Sequence, residues 1–125
     1  MGDAMKIIMP IPAACLNPNA PNSKNYFAKS KARKAQRGDA MLMALRELNG
    51  GDAPKWERVR LTVRWFAAGE HRIPDIDNAI ASCKGIFDGI CDAGIIRNDR
   101  GIEGIDVWRV SDKARPRVEI EITKS

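Results

Sequence analysis

The alternation of apolar and charged positions is clearest in Glu57 to Phe66, where Val59, Leu61, Val63 and Trp65 interleave with Arg58, Arg60, Thr62 and Arg64. That period of two predicts a strand with one buried face. Arg117 to Thr123 repeats the signature through Val118, Ile120 and Ile122, and Ile102 to Val110 reads as a further strand. A short first strand is expected over Lys6–Pro10, ended by Pro10 and Pro12, which remove ladder donors. Between Ala13 and Asn25 the prolines at 18 and 21 and the asparagines at 17, 19, 22 and 25 predict a loop too polar to enter the core.

Helical spacing governs two other stretches. From Tyr26 to Leu48 the apolar positions Ala40, Met41, Ala44, Leu45 and Leu48 predict a helix, stopped by Asn49-Gly50-Gly51. A second helix is expected from Pro74 to about Ala93, with Gly94 as its C-terminal cap and Ile76, Ile80, Cys83, Phe87 and Ile90 forming one apolar stripe. The order strand, helix, strand, helix, strand, strand in 125 residues predicts one α+β domain spanning residues 1–125. Its sheet should be mixed or mainly antiparallel, with the helices packed on one face.

Composition narrows the class. With 44% hydrophobic and 30% charged residues the chain has enough apolar material to fold. Its apolar runs are too broken by Pro, Asp and Lys to span a bilayer, and the N-terminus does not build a signal peptide. A cytoplasmic, nucleoid-associated location in a bacterial or phage setting is expected. Cys83 and Cys91 sit eight positions apart on one predicted helix, ~12 Å along its axis, too far to bridge. One histidine and scattered cysteines leave no tetrahedral zinc set, so any metal must use oxygen ligands.

A net charge of +5 points to a polyanionic partner, and its distribution is more telling than its size. Lys24, Lys29, Lys31, Arg33, Lys34 and Arg37 occur with no acidic residue among them, a basic helical arm over residues 24–37. Together with Arg72 and the strand arginines Arg58, Arg60 and Arg64 they are candidate phosphate contacts. Tyr26 and Phe27 read as a hydrophobic staple at the helix start, with base stacking as the alternative.

Chemistry concentrates in residues 73–99, IPDIDNAIASCKGIFDGICDAGIIRND. At ~100° per residue Asp77, Lys84 and Asp88 share one flank of the helix beside its apolar stripe. Asp75, at the helix entrance, suits an N-cap, and Asn98-Asp99 with Gly101 suits a turn. The competing reading gathers Asp75, Asp77 and Asp99 around Mg2+, a cation that prefers carboxylates and keeps positions open for phosphate. Lys84 is then either a phosphate contact or an ordinary snorkelling lysine. Gly85-x-x-x-Gly89 permits close approach of a symmetry mate or, the favoured alternative, of a strand within the subunit.

The run PDIDNAIASCKGIFDGICDAGIIRND resembles the signature of the RusA family of Holliday junction resolvases: Asp-x-Asp-Asn entering a helix, a following Lys, a Phe-Asp-Gly step, an Ala-Gly turn and a later Asp. IIMPIP, LNPN and the Lys/Ala/Arg/Gln-rich helix are similar to the family's first strand, Asn-containing loop and basic helix. The resemblance implies a RusA-like fold and a metal-dependent endodeoxyribonuclease that cuts four-way DNA junctions by paired phosphodiester hydrolysis in recombination and repair. It implies Asp75, Asp77 and Asp99 as metal-binding catalytic positions, with Mg2+ as cofactor and Mn2+ as a possible substitute. It also implies Lys84 as the required lysine, Asn78 and Asp88 as supporting positions, and a homodimer. No membrane and no small-molecule cofactor beyond the metal are expected. The alternatives are a non-catalytic basic DNA-binding protein and a metal nuclease acting on other branched or single-stranded DNA.

Overall fold

A computed structural model describes residues 2–21 and 23–125. Four strands, β1 (Ala4–Met9), β2 (Val59–Ala67), β3 (Ile102–Ser111) and β4 (Arg117–Lys124), form one mixed sheet in the order β1-β4-β2-β3. β4 runs antiparallel to both β1 and β2, and β3 runs parallel to β2 along the edge. The inward residues of β2, β4 and β1 follow the alternation read from the sequence. Val59, Leu61, Val63 and Trp65 meet Val118, Ile120 and Ile122 and, beyond them, Met5, Ile7 and Met9, all buried. Edge strand β3 shows no such regular alternation, and none of its residues is fully buried.

Helix α1 (Tyr26–Leu48) takes the predicted span. Asn25 accepts a hydrogen bond from the Ala28 N–H at 3.1 Å, which caps its start, and Asn49 in the left-handed conformation ends it. Ala40, Ala44 and Leu48 face the core. The loop before it departs from expectation. A single 3-10 turn, Ala14–Leu16, carries Cys15 and Leu16 into the interior, so this polar stretch does contribute to the core. Asn22, one of its expected turn formers, lies outside the described residues.

The second predicted helix is two. α2 (Ile76–Ser82) and α3 (Lys84–Asp92) meet at Cys83, whose φ of −101° and ψ of 4° leave the helical region. The hydrogen bonds give the cause. The Gln36 side chain of α1 donates to the Ser82 carbonyl at 2.8 Å, and the Ser82 hydroxyl donates to the Asn78 carbonyl, a back-bond that bends helices. Ile86 N–H bonds to Cys83 instead of Ser82. The break turns α2 off the stripe of α3, so Ile76 is 56% exposed and does not join the core as expected. Cys83, Phe87 and Ile90 are buried, and so are Gly85, Ile86 and Gly89, because α3 is covered by α1 as well as by the sheet.

The Gly85-x-x-x-Gly89 pair faces neither a strand nor a symmetry mate. A Cβ at Gly89 would collide with the Arg37 carbonyl, and one at Gly85 would stand 3.0 Å from the Arg33 carbonyl, so both glycines exist to let α1 approach α3.

Parallel strands cannot be joined by a hairpin. The chain from Ala67 to Ile102 therefore crosses the sheet, and this crossover holds a 3-10 turn (Glu70–Arg72), α2, α3 and a last 3-10 turn (Asp99–Gly101). Gly94, at φ +81°, ends α3 and reverses the chain. Ile96 then forms a parallel bridge with Trp56, ahead of β2. The return to β4 is an arch over the end of β2, tied by Asp112, which accepts from Ala114 and Arg115 N–H and pairs with Arg117 at 2.9 Å.

Candidate active site

Asp75 occupies the N-cap position of α2, but its side chain makes no cap hydrogen bond; its contribution to the helix is its backbone carbonyl, which accepts from Ala79 N–H at 2.8 Å. The carboxylate is exposed, as is that of Asp77 in the first turn. At the other end of the crossover Asn98 caps the turn that follows it, accepting from Arg100 N–H at 3.0 Å. That leaves the exposed Asp99 carboxylate with no part in the turn. Gly101 allows the turn to sit against the segment just ahead of β2, since a Cβ there would strike the Glu57 carbonyl. Capping and turn formation thus do not consume Asp75 or Asp99.

Between α2, α3 and β3 lies a pocket of about 360 Å³ lined by Arg33, Ile80, Lys84, Phe87, Asp88, Asp99, Ile102 and Ile105. One apolar wall comes from each side, and the polar groups are two carboxylates, an amine and a guanidinium. Lys84 and Asp88 share a flank of α3, as the helical spacing predicts, and Asp99 joins them from the turn beyond. The thiol of Cys91 reports the same convergence: burial first, then the charges of Asp99, Asp88 and Asp92, push its pKa up to about 11.

Asp75 and Asp77 do not line this pocket. Among the described residues no three acidic, His or Cys side chains are grouped closely enough to hold a metal ion. The structure brings together Lys84, Asp88 and Asp99 and leaves Asp75 and Asp77 at the open start of α2. The break at Cys83 separates them, a consequence invisible to a reading that runs one straight helix through the segment. Asn78 offers its backbone carbonyl to Ser82, while its side chain has no hydrogen bond among the described residues.

A second, larger pocket of about 520 Å³ is lined by Tyr26, Lys29, Ser30, Arg33, Lys34, Arg37 and Asp88. The α1 residues recur at spacings of three and four, so they form one face of the helix. Arg33 and Asp88 border both pockets, so the two adjoin. Sequence reading grouped Arg33 with its neighbours as a generic basic residue; its periodicity with Tyr26, Lys29, Lys34 and Arg37 was the signal that singles out the face.

Not every basic residue is available to a ligand. Arg37 holds Asp92 through two hydrogen bonds of 2.6 and 2.8 Å, which clamp α1 to the end of α3, raise the arginine pKa and lower that of the aspartate. Arg58 pairs with Glu103 at 3.7 Å and Arg64 with Glu121 at 4.0 Å. Arg60 and Arg64 alternate with buried Leu61 and Val63, so they project from the face of β2 opposite the helices and the pocket. Arg72, Lys24, Lys31 and Lys34 are exposed and outside any ion pair among the described residues.

The family model for the endodeoxyribonuclease RusA matches residues 10–123, nearly the whole chain. No curated protein matches it.

Proposed function

This chain belongs to the RusA family of endodeoxyribonucleases, and from that premise we propose how its crossover segment performs the family's reaction. At the level of the family it is a nuclease that resolves Holliday junctions, a phosphodiester hydrolase. The observation that carries the residue assignment is that Asp75 sits at a helix N-cap and Asp99 in a capped turn, yet neither carboxylate is used there.

Asp75, Asp77 and Asp99 would hold a divalent cation, Mg2+ or in its place Mn2+. The donor set suits it: exposed carboxylates are hard oxygen ligands and leave room for water and phosphate. Bound there, the cation would supply Lewis-acid polarisation of the phosphoryl oxygens and a water made acidic enough to attack. Lys84, a compact point charge in the same pocket as Asp99, neutralises charge developing on the phosphate or its leaving oxygen. Arg33 steers the phosphate towards it. Ile80, Phe87, Ile102 and Ile105, from the three elements around the pocket, exclude water and so strengthen each of these attractions. Asp88 lines both pockets and would orient Lys84 or Arg33 through charge as they close on the phosphate.

Because no three carboxylates are grouped among the described residues, loading requires Asp75 and Asp77 to approach Asp99. The seven-residue α2, set off from α3 by the break at Cys83, is the element that would have to move. Two opposed strands of a junction must be cut, which suits a two-fold homodimer carrying two such sites.

Cleavage of four-way, flap and duplex DNA with and without Mg2+ tests the assignment. Asp75→Asn, Asp77→Asn, Asp99→Asn and Lys84→Ala should each lower junction cleavage by about 100-fold or more, a loss of ~2.7 kcal/mol in transition-state stabilisation. Asp106→Asn, an exposed aspartate beside Thr62 on the opposite sheet face, should leave it unchanged. Cutting that survives at positions 75 and 77 refutes the metal assignment, and equal cutting of duplex refutes the substrate.

A further inference from the structure

Tyr26 and Phe27 open α1 and are 75% and 83% exposed as residues, so they are not the buried staple that a helix start suggests. They support each other edge to face, with ring centroids 5.7 Å apart and planes at 78°. No other ring pairing occurs among the described residues. Exposing two adjacent aromatic rings has a cost in water unless something covers them.

The surroundings say what covers them. Tyr26 lines the 520 Å³ pocket with Lys29, Ser30, Arg33, Lys34 and Arg37, the last of them held by Asp92, and Asp88 faces them from α3. A face of cations ending in an aromatic pair matches a ligand with a polyanionic backbone and flat apolar groups. Apolar protein surface would leave the cations unmatched, and paired duplex would leave the rings unused.

We propose that Tyr26 and Phe27 are the platform on which unpaired bases of a DNA strand stack while the strand's phosphates follow Lys29, Arg33 and Lys34 into the pocket of Lys84 and Asp99. The proposal rests on the nuclease reading above and adds to it a preference for DNA whose bases are open next to the cut. Tyr26 and Arg33 are seven residues apart, ~10 Å along the helix. At ~3.4 Å per nucleotide of a stacked strand, the bound base lies about three nucleotides from the phosphate held at Arg33.

Binding without divalent metal tests it, on the full chain, with 2-aminopurine as the unpaired base of a branched DNA and a fully paired duplex of equal length as reference. Wild type should quench the probe. Tyr26→Ala with Phe27→Ala should lose that quenching and weaken binding to open-base DNA roughly 10- to 100-fold. Duplex affinity should stay within about twofold, and Tyr26→Phe with Phe27→Tyr should restore wild-type behaviour. Both rings are exposed, so the thermal midpoint of the double alanine variant should match wild type.

Equal loss on open-base and paired DNA overturns the proposal and leaves the nuclease reading standing. A change in sedimentation of the double variant also overturns it, assigning the rings to contact between copies of the chain. Wild type that binds neither DNA defeats the nuclease reading itself, and the platform with it.

Discussion

Cys83 does its work as a small buried side chain at the bend between α2 and α3. Burial raises its thiol to about 12, well above the ~8.5 of an unfolded cysteine. Between those values the unfolded chain has released a proton that the folded chain keeps, so stability is complete below about pH 9 and falls as pH rises towards 12. Comparing urea denaturation of wild type with Cys83→Ala across that window should show a steeper decline in wild type, by up to ~1.4 kcal/mol per pH unit. Parallel slopes would contradict the burial argument. The same protection should keep Cys83 unreactive towards alkylating reagents at neutral pH while the protein is folded.

At the scale of elements, the seam between α1 and α3 is the contact on which the site depends, since it brings Arg33 to Lys84 and Asp88. Gly89→Ala forces a methyl group against the Arg37 carbonyl and to 2.7 Å from the Ala40 Cβ. It should destabilise the fold by ~2–3 kcal/mol. Gly38→Ala, in α1 and facing open space, should stabilise by ~0.5–1 kcal/mol. Chemical denaturation of the two variants makes a matched pair, because both changes add one methyl group.

Much at this scale was legible in the sequence. Residues that alternate between Val59 and Trp65 or between Val118 and Ile122 have one neighbour above and one below the sheet, so their pattern is local and readable. The limits of α1 were equally plain because Asn25 and Asn49 are chemical end signals. The division of the second helix was not. It depends on Gln36, 46 positions away, reaching the Ser82 carbonyl, and no local spacing encodes that. The burial of Cys15 and Leu16 in a polar loop and the exposure of Ile76 fail for the same reason. Within the site, the common flank of Lys84 and Asp88 followed from helical geometry, whereas the separation of Asp77 from them followed from the break.

The whole molecule is charged asymmetrically in function as well as in number. On the outer sheet face Lys6, Arg64 and Arg117 pair with Glu119 and Glu121, and Arg117 lies 3.8 Å over the ring of Phe66. The helix face keeps Lys24, Lys31 and Lys34 outside ion pairs among the described residues. DNA affinity should therefore fall steeply with salt, and each of Lys29, Arg33 and Lys34 changed to Ala should reduce the slope of log K against log salt by about one. Arg64→Ala should not alter it. A flat salt response in wild type would deny the helix face its role. No helix among the described residues is long and apolar enough to cross a membrane.

The parallel pairing of β2 with β3 has a consequence for how activity is acquired. All of Asp75, Asp77, Lys84 and Asp99 ride on the excursion that must finish before β3 can dock, and β4 can complete the sheet's middle only beside a seated β2. Distant contacts of this kind form late because closing a long loop comes before any reward for closing it. In a chain whose β3 has not yet docked, the segment that carries the four proposed site residues is still unanchored at its far end.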